Sequence, residues 1–231
     1  MSNLLIVESK NDKLFMEALI DNLNYDISIE PPICINDYEC LEGLSQSKLT
    51  NALKALAADI QKRDIQKVGI VIDIDDFSVD ERIQWVNECI NQAFTNSANL
   101  SQIGKFMEIS TATGEVIKLS CYFTNVNGKG ELETVLKTIK SQDSTFADCL
   151  ESWQNCLINQ GKSITDKEFD KFWVSLYIRF DTCSKKEKKQ AERKCSMKNF
   201  DYIMKEKVYI FDLEHPVLEE LKKFLRIFTD E

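Results

Sequence analysis

Two short apolar runs, each stopping abruptly at acid, set the hydrophobic pattern of the first half of the chain. The longer, Val68-Gly-Ile-Val-Ile-Asp-Ile-Asp-Asp76, places five apolar or small residues ahead of its carboxylates, as in a strand buried on both faces of a parallel sheet. The other, Leu4-Leu-Ile-Val-Glu8, ends in the same manner. After it, Phe15, Ala18, Leu19 and Leu23 recur at helical spacing, with Asn11 as the expected N-cap and Asp12 in the first turn. Residues 27–35, broken by Pro31-Pro32, predict a short strand, and residues 36–47 a polar connection. Leu49, Ala52, Leu53, Leu56, Ala57 and Ile60 form a second helical stripe that delivers the chain to Val68. Strand, helix, strand, helix, strand is the order of a parallel sheet with crossover helices. Right-handed crossovers then bring Glu8 and Asp73 to the same sheet edge.

Beyond Asp76, Ser78-Val-Asp-Glu81 has the form of a capping box ahead of Ile83, Val86, Ile90, Ala93 and Phe94. Residues 95–104 are polar and predict a loop. Residues 106–110 and 116–126 read as two strands with a tight connection at Thr113-Gly114, so some antiparallel pairing edges the sheet. Gly128-Lys-Gly130 precedes a helix carrying Glu131 and Glu133 in its first turn. From about residue 145 the pattern is helical alone. Phe146, Cys149, Leu150, Trp153 and Leu157 make one stripe; Phe169, Phe172, Trp173, Leu176 and Phe180 make another behind the capping box Thr165-Asp-Lys-Glu168. At such spacing aromatics are expected in the core. A last amphipathic helix has Pro216 in its first turn and turns Val217, Leu221, Phe224, Leu225 and Phe228 inward. The expectation is an α/β domain over residues 1–142 and a helical C-terminal portion over residues 143–231 packed on the same core.

Composition adds limits. The chain has 231 residues, 43% hydrophobic and 29% charged, with three Pro and seven Gly, a globular profile without linkers. No run reaches membrane-spanning length, and the first residues lack the basic region of a signal peptide, so no membrane partner and a cytoplasmic location are expected. Eight Cys without a CxxC pair are expected to be reduced, small buried hydrophobes. With one His, His215, a zinc cluster or a Ser-His-Asp triad is disfavoured, and carboxylates must carry any chemistry. Residues 185–207 hold nine basic against four acidic residues within a chain of net charge −9. That segment is either a phosphate-binding face or a solvated helix surface.

In a strand, Asp73 and Asp75 project to one side, with Asp76 turning into the loop. Paired carboxylates repel unless a cation lies between them, and hard oxygen donors suit Mg²⁺ or Mn²⁺. The alternative is that Asp75 and Asp76 only open a loop and cap the next helix. Asp12 either faces the crevice with Glu8 or serves the helix dipole.

Leu5-Ile-Val-Glu-Ser-Lys-Asn-Asp12-Lys-Leu-Phe15 and Ile70-Val-Ile-Asp-Ile-Asp-Asp76 together resemble the Toprim superfamily, the catalytic domain of topoisomerases, bacterial primases and nucleases. Its hallmarks are a strand ending in Glu, matched by Glu8, and a later strand ending in Asp-x-Asp, matched by Asp73 and Asp75. The pattern is most similar to stand-alone nuclease-type Toprim proteins of bacteria, in which a Leu-Glu pair like Leu132-Glu133 also occurs. The stretch from Phe211 to Leu225 is similar to the close of an uncharacterised small Toprim-like family. The resemblance implies a Toprim-like, mostly parallel sheet with flanking helices, and Mg²⁺ or Mn²⁺ held by Glu8, Asp73 and Asp75, with Asp76, Asp12 and Glu133 as further ligands. It implies phosphodiester hydrolysis on DNA or RNA, with two metals, or with Glu8 as general acid or base. The basic stretch, Lys186, Lys189, Arg193, Lys194 and Lys198, would bind the nucleic-acid backbone. Two departures stand out. Ser9 replaces the usual Gly, and no Arg or Lys beside the acids, Lys10 apart, is recognisable as a catalytic cation. A non-catalytic acidic module that binds a metal or a partner protein is the competing reading, which the net charge favours; a homo-oligomer is also open.

Overall fold

The structure, a computed structural model, describes residues 2–35, 43–60, 62–94, 96–97, 99–190 and 194–229. The connection expected over residues 36–47 and the loop expected over residues 95–104 lie partly outside them. The chain divides into two units, residues 1–124 with 219–231, and residues 125–218. The boundary falls earlier than the one expected after residue 142, and the last helix belongs to the first unit.

The first unit is built from β1 (Ser2–Val7), α1 (Lys10–Leu23), β2 (Ser28–Ile29), α2 (Gln46–Asp59), β3 (Ile65–Asp73), α3 (Val79–Ala93), β4 (Asn96–Ser97), β5 (Met107–Ser110), β6 (Val116–Thr124) and the closing helix Glu219–Arg226. The strands form one sheet in the order β2-β1-β3-β6-β5-β4. The first four run parallel, and β5 and β4 add antiparallel edges. This is the mixed α/β architecture that the apolar pattern predicts.

Uninterrupted apolar runs are explained by two covered faces. Leu4 and Ile6 of β1, Val68, Ile70 and Ile72 of β3, and Leu119, Cys121 and Phe123 of β6 pack with Leu49, Leu53 and Leu56 of α2 and Ile83, Val86 and Ile90 of α3. Alternate positions face the other way. There Leu5, Gly69 and Tyr122 meet the closing helix, whose Phe224 ring lies 5.5 Å from that of Tyr122. A Cβ at Gly69 would stand 2.5 Å from Leu5 Cδ2 and 2.7 Å from Phe228 Cζ, so the approach of this helix requires glycine in the central strand. Leu221, Phe224, Leu225 and Phe228 are buried as their spacing predicts, at about 1.5–3 kcal/mol per large side chain.

The second unit is helical, with only an isolated bridge between Lys140 and Phe211 and another between Val126 and Lys129 among its described residues. It contains α4 (Leu132–Thr138), α5 (Thr145–Asn159), α6 (Asp166–Leu176) running into a wider turn at Tyr177–Asp181, and the helices Lys185–Lys188 and Phe200–Glu206. Its core gathers Val135, Leu136, Ile139, Phe169, Trp173, Val174, Tyr177, Ile178 and Ile203. The Tyr177 hydroxyl donates to the Ile210 carbonyl at 2.6 Å and accepts from the Gln142 amide at 3.1 Å, which satisfies a polar group in that core.

Two expectations are corrected here. The α5 stripe is not core: Ala147 is its one buried residue, whereas Phe146 and Trp153 are exposed, as are Phe172 and Phe180 from the second stripe. The Asp181 carboxylate accepts from the amides of Phe146 and Ala147 at 2.8 and 3.0 Å. That cap fixes the helix phase with Ala147 inward, and the displaced aromatics pair at the surface, Phe146 with Phe180 and Trp153 with Phe172. Nor are the cysteines uniformly reduced and buried. Cys89 and Cys121 are free and buried, but Cys149 and Cys156 are free and exposed, Cys183 and Cys195 form a disulfide, and Cys34 is also disulfide-bonded. Pairing and exposure depend on contacts between distant residues, which spacing alone does not carry. Among the described residues, no helix is long and apolar enough to cross a membrane.

Candidate functional site

The carboxyl edge of the sheet gathers the acids. β1 and β3 lie side by side in parallel, with Val7 opposite Val71. Glu8, one residue past β1, and Asp73, the last residue of β3, therefore emerge from adjacent strands at the same edge. Both are buried, at 7% and 8% exposure. The Asp73 amide points at Glu8 Oε2 from 3.5 Å. β3 ends at Asp73, so Asp75 is not a strand neighbour. It takes a left-handed conformation, φ 52°, which a short polar side chain tolerates. The turn nevertheless leaves an oxygen of Asp73 and one of Asp75 within 4.8 Å of each other.

Crowded, buried carboxylates disfavour ionisation. Burial first, then the charges of Asp12 and Asp75, push the Glu8 carboxyl up to about 8, while Arg82 and the Asp73 amide pull it down. A cation placed among these oxygens would take over the work that a proton does at Glu8. The donors are all hard oxygens, which fits Mg²⁺ or Mn²⁺. Among the described residues of the first unit, Asp73 and Asp75 bring oxygens close enough to share such an ion, and Glu8 stands beside them, in contact with the Asp73 amide.

Arg82 is the residue that sequence reasoning missed, a buried cation beside the acids. The capping box at Ser78 and Glu81 starts α3 five residues after the strand, as predicted. Arg82, in the first turns of that helix, points back at the strand end and is 1% exposed. Its Nε donates to the Asp73 carbonyl at 3.0 Å and its Nη2 reaches Asp75 Oδ2 at 3.3 Å. The guanidinium lies 4.8 Å from the Phe77 ring centre and 4.5 Å from that of Trp85. An Arg four residues past an N-cap, on a helix leaving an acidic strand end, is the signal that could have revealed it.

The remaining candidates separate. Ser9, not Asn11, is the N-cap of α1, with φ −121°, an extended geometry that needs no glycine. Asp12 is the third helical residue and closes the box, its Oδ2 accepting from the Ser9 amide at 2.9 Å and the Ser9 hydroxyl at 2.5 Å. That engagement makes Asp12 part of the cap as well as a charge acting on Glu8. Asp76 is exposed in the loop. Glu133 lies in the second unit, half-buried in the first turn of α4, two residues after the N-cap Glu131, which pairs with Lys167 at 2.8 Å. In the basic segment Lys186, Lys189 and Lys198 are exposed, and Lys194 stands 5.1 Å over the Tyr202 ring. Arg193 lies outside the described residues.

No curated protein and no solved structure matches the chain. A family described as a protein of unknown function, DUF3226, matches residues 2–230, nearly the whole length, and the chain belongs to that family.

Proposed function

We propose that the chain is a divalent-metal-dependent phosphodiester hydrolase of Toprim type acting on nucleic acid, with Glu8, Asp73 and Asp75 as the metal-binding and catalytic carboxylates. One observation carries the reading: two adjacent parallel strands deliver buried acids to one sheet edge, where Glu8 is forced to hold its proton to about pH 8. Folding gains nothing from such crowding, whereas open α/β sheets bind ligands at this edge. A divalent ion bound there supplies Lewis acidity toward a phosphate oxygen. Glu8 acts according to its proton. Ionised it is a third ligand, and protonated it is a general acid for the leaving oxygen. Exposed Lys186, Lys189 and Lys198 give the second unit a surface for a phosphodiester backbone, and the proposed working compartment is the cytoplasm.

The test incubates the protein with DNA and with RNA in Mg²⁺ or Mn²⁺, beside Glu8→Ala and Asp73→Ala. Cleavage that both variants lose supports the reading; identical behaviour of all three proteins removes it. The pH profile of metal-loaded protein then assigns Glu8: activity that rises with pH marks the ligand, and activity that falls marks the acid. A second reading, a non-catalytic acidic module, is favoured by the Arg82–Asp75 pair, which already supplies one of these carboxylates with a permanent counter-ion. Metal binding by calorimetry without cleavage of either substrate would select it.

A further inference from the structure

Lys185, Lys186, Lys188 and Lys189 lie inside a loop closed by a covalent bond. Cys183 and Cys195 form a disulfide across 12 positions, with their Cα atoms 6.4 Å apart. Both ends are anchored, Cys183 at 7% exposure and Cys195 at 1%. Between them the described residues are tied more lightly, through Lys188, whose ammonium donates to the Phe180 carbonyl at 3.0 Å, and Lys194 over the Tyr202 ring. Residues 184–190, Ser-Lys-Lys-Glu-Lys-Lys-Gln, include no buried side chain and no apolar one. The helix Lys185–Lys188 is a single turn held by the Ser184–Glu187 capping box. A segment of this composition gains no hydrophobic stabilisation, so its fold depends on its tethers.

The second tether is Lys207, 3% exposed and carried by the residue after the helix Phe200–Glu206. Its ammonium donates to the Thr182 carbonyl at 2.7 Å, pairs with Glu187 Oε1 at 3.2 Å, and stands 3.5 Å from Cys183 Sγ. A buried ammonium beside a sulfur stabilises that sulfur as a thiolate when the disulfide opens. Glu187, the other charged group facing it, shares the ammonium but leaves it next to Sγ.

We propose that Cys183–Cys195 is a reversible thiol–disulfide exchange site that clamps the lysine-rich loop when oxidised and releases it when reduced by a cellular dithiol. A reductant thiolate attacks Sγ of Cys183, the more exposed residue; the S–S bond breaks and Cys195 leaves as a thiolate that takes a proton. The second thiol of the reductant, deprotonated, then displaces Cys183 from the mixed disulfide. Cys183 leaves as a thiolate facing Lys207, and the reductant departs as a cyclic disulfide, two electrons having passed to the protein. Losing a closure of this length raises the population of the open loop about a hundredfold. The rest of the second unit keeps its core, since none of the core residues named above lies within the loop.

The experiment uses the full chain. Protein alkylated under non-reducing conditions is digested and its cross-linked peptides are identified by mass. Limited trypsin cleavage after residues 185, 186, 188 and 189 is then timed with and without dithiothreitol, for the wild type and for Cys195→Ser, with circular dichroism as the control for the fold. The expected result is a 183–195 cross-link, cleavage in the loop at least tenfold faster with dithiol, and a variant cut at the fast rate in both conditions. Absence of the cross-link overturns the proposal, as does a cross-linked loop whose cleavage is unchanged by reduction. If Cys195→Ser loses its helical signal, the dithiol-treated wild type alone decides. Because the readout involves no nucleic acid and no metal, it stands or falls apart from the hydrolase reading.

Discussion

Replacing Glu8 with Gln removes a titration that the fold makes costly. The carboxyl is 7% exposed and is raised from 4.5 to about 8, by burial and then by Asp12 and Asp75. In the unfolded chain it ionises near its ordinary value, so between about pH 4.5 and 8 the folded state holds a proton that the unfolded state has released. Stability from this group is therefore complete below pH 4.5 and drains away as pH rises, reaching a loss on the order of 5 kcal/mol above pH 8. Gln is a neutral isostere of the protonated form and does not titrate. Urea denaturation from pH 5 to 9 in a chelator, followed by circular dichroism, should show the two proteins close together at pH 5 and the variant more stable by several kcal/mol at pH 9. Added Mg²⁺ or Mn²⁺ at pH 8 should then stabilise the wild type more than the variant. Parallel pH profiles for the two proteins would refute the argument, because they would mean that Glu8 is neither crowded nor desolvated.

Three other substitutions test the supports of this edge. Arg82→Met should cost roughly 2–4 kcal/mol in the same denaturation assay, since it strips the Asp73 carbonyl and Asp75 of a buried donor; Arg82→Lys should recover little, because an ammonium cannot make both bonds or stack between Phe77 and Trp85. Gly69→Ala should cost about 1–3 kcal/mol by forcing Leu5 and Phe228 away, read as a lower urea midpoint. Ser9→Ala should cost about 1 kcal/mol and Ser9→Gly only a few tenths, since the position needs a cap and not a left-handed backbone.

What the sequence made legible was what is local or covered on both sides. β1 and β3 read as apolar runs because both sheet faces are covered, and the boxes at Ser78 and Thr165 read directly because their hydrogen bonds span three residues. The cap at Ser9 was equally local, but Asp12 stands where Glu or Gln is the usual signature, and Asn11 drew the assignment instead. Arg82 was hidden for another reason: a charged residue on an amphipathic helix counts as solvent-facing until the helix phase is known. In α5 the period was right and the burial wrong, because periodicity reports that a face exists and not that anything covers it. The Cys183–Cys195 pairing depends on a loop returning to its start, which no spacing rule encodes.

In the proposed site Arg82 opposes the binding of metal, because its guanidinium already neutralises part of the negative charge at Asp75. A proton on Glu8 opposes it further, since it removes the negative charge that an ion would meet there. That proton is the variable that tunes affinity. Titration of the wild type with Mn²⁺ at pH 7 and pH 9 tests this, because binding that tightens between the two follows from the raised Glu8 carboxyl, whereas an affinity unchanged with pH would refute it.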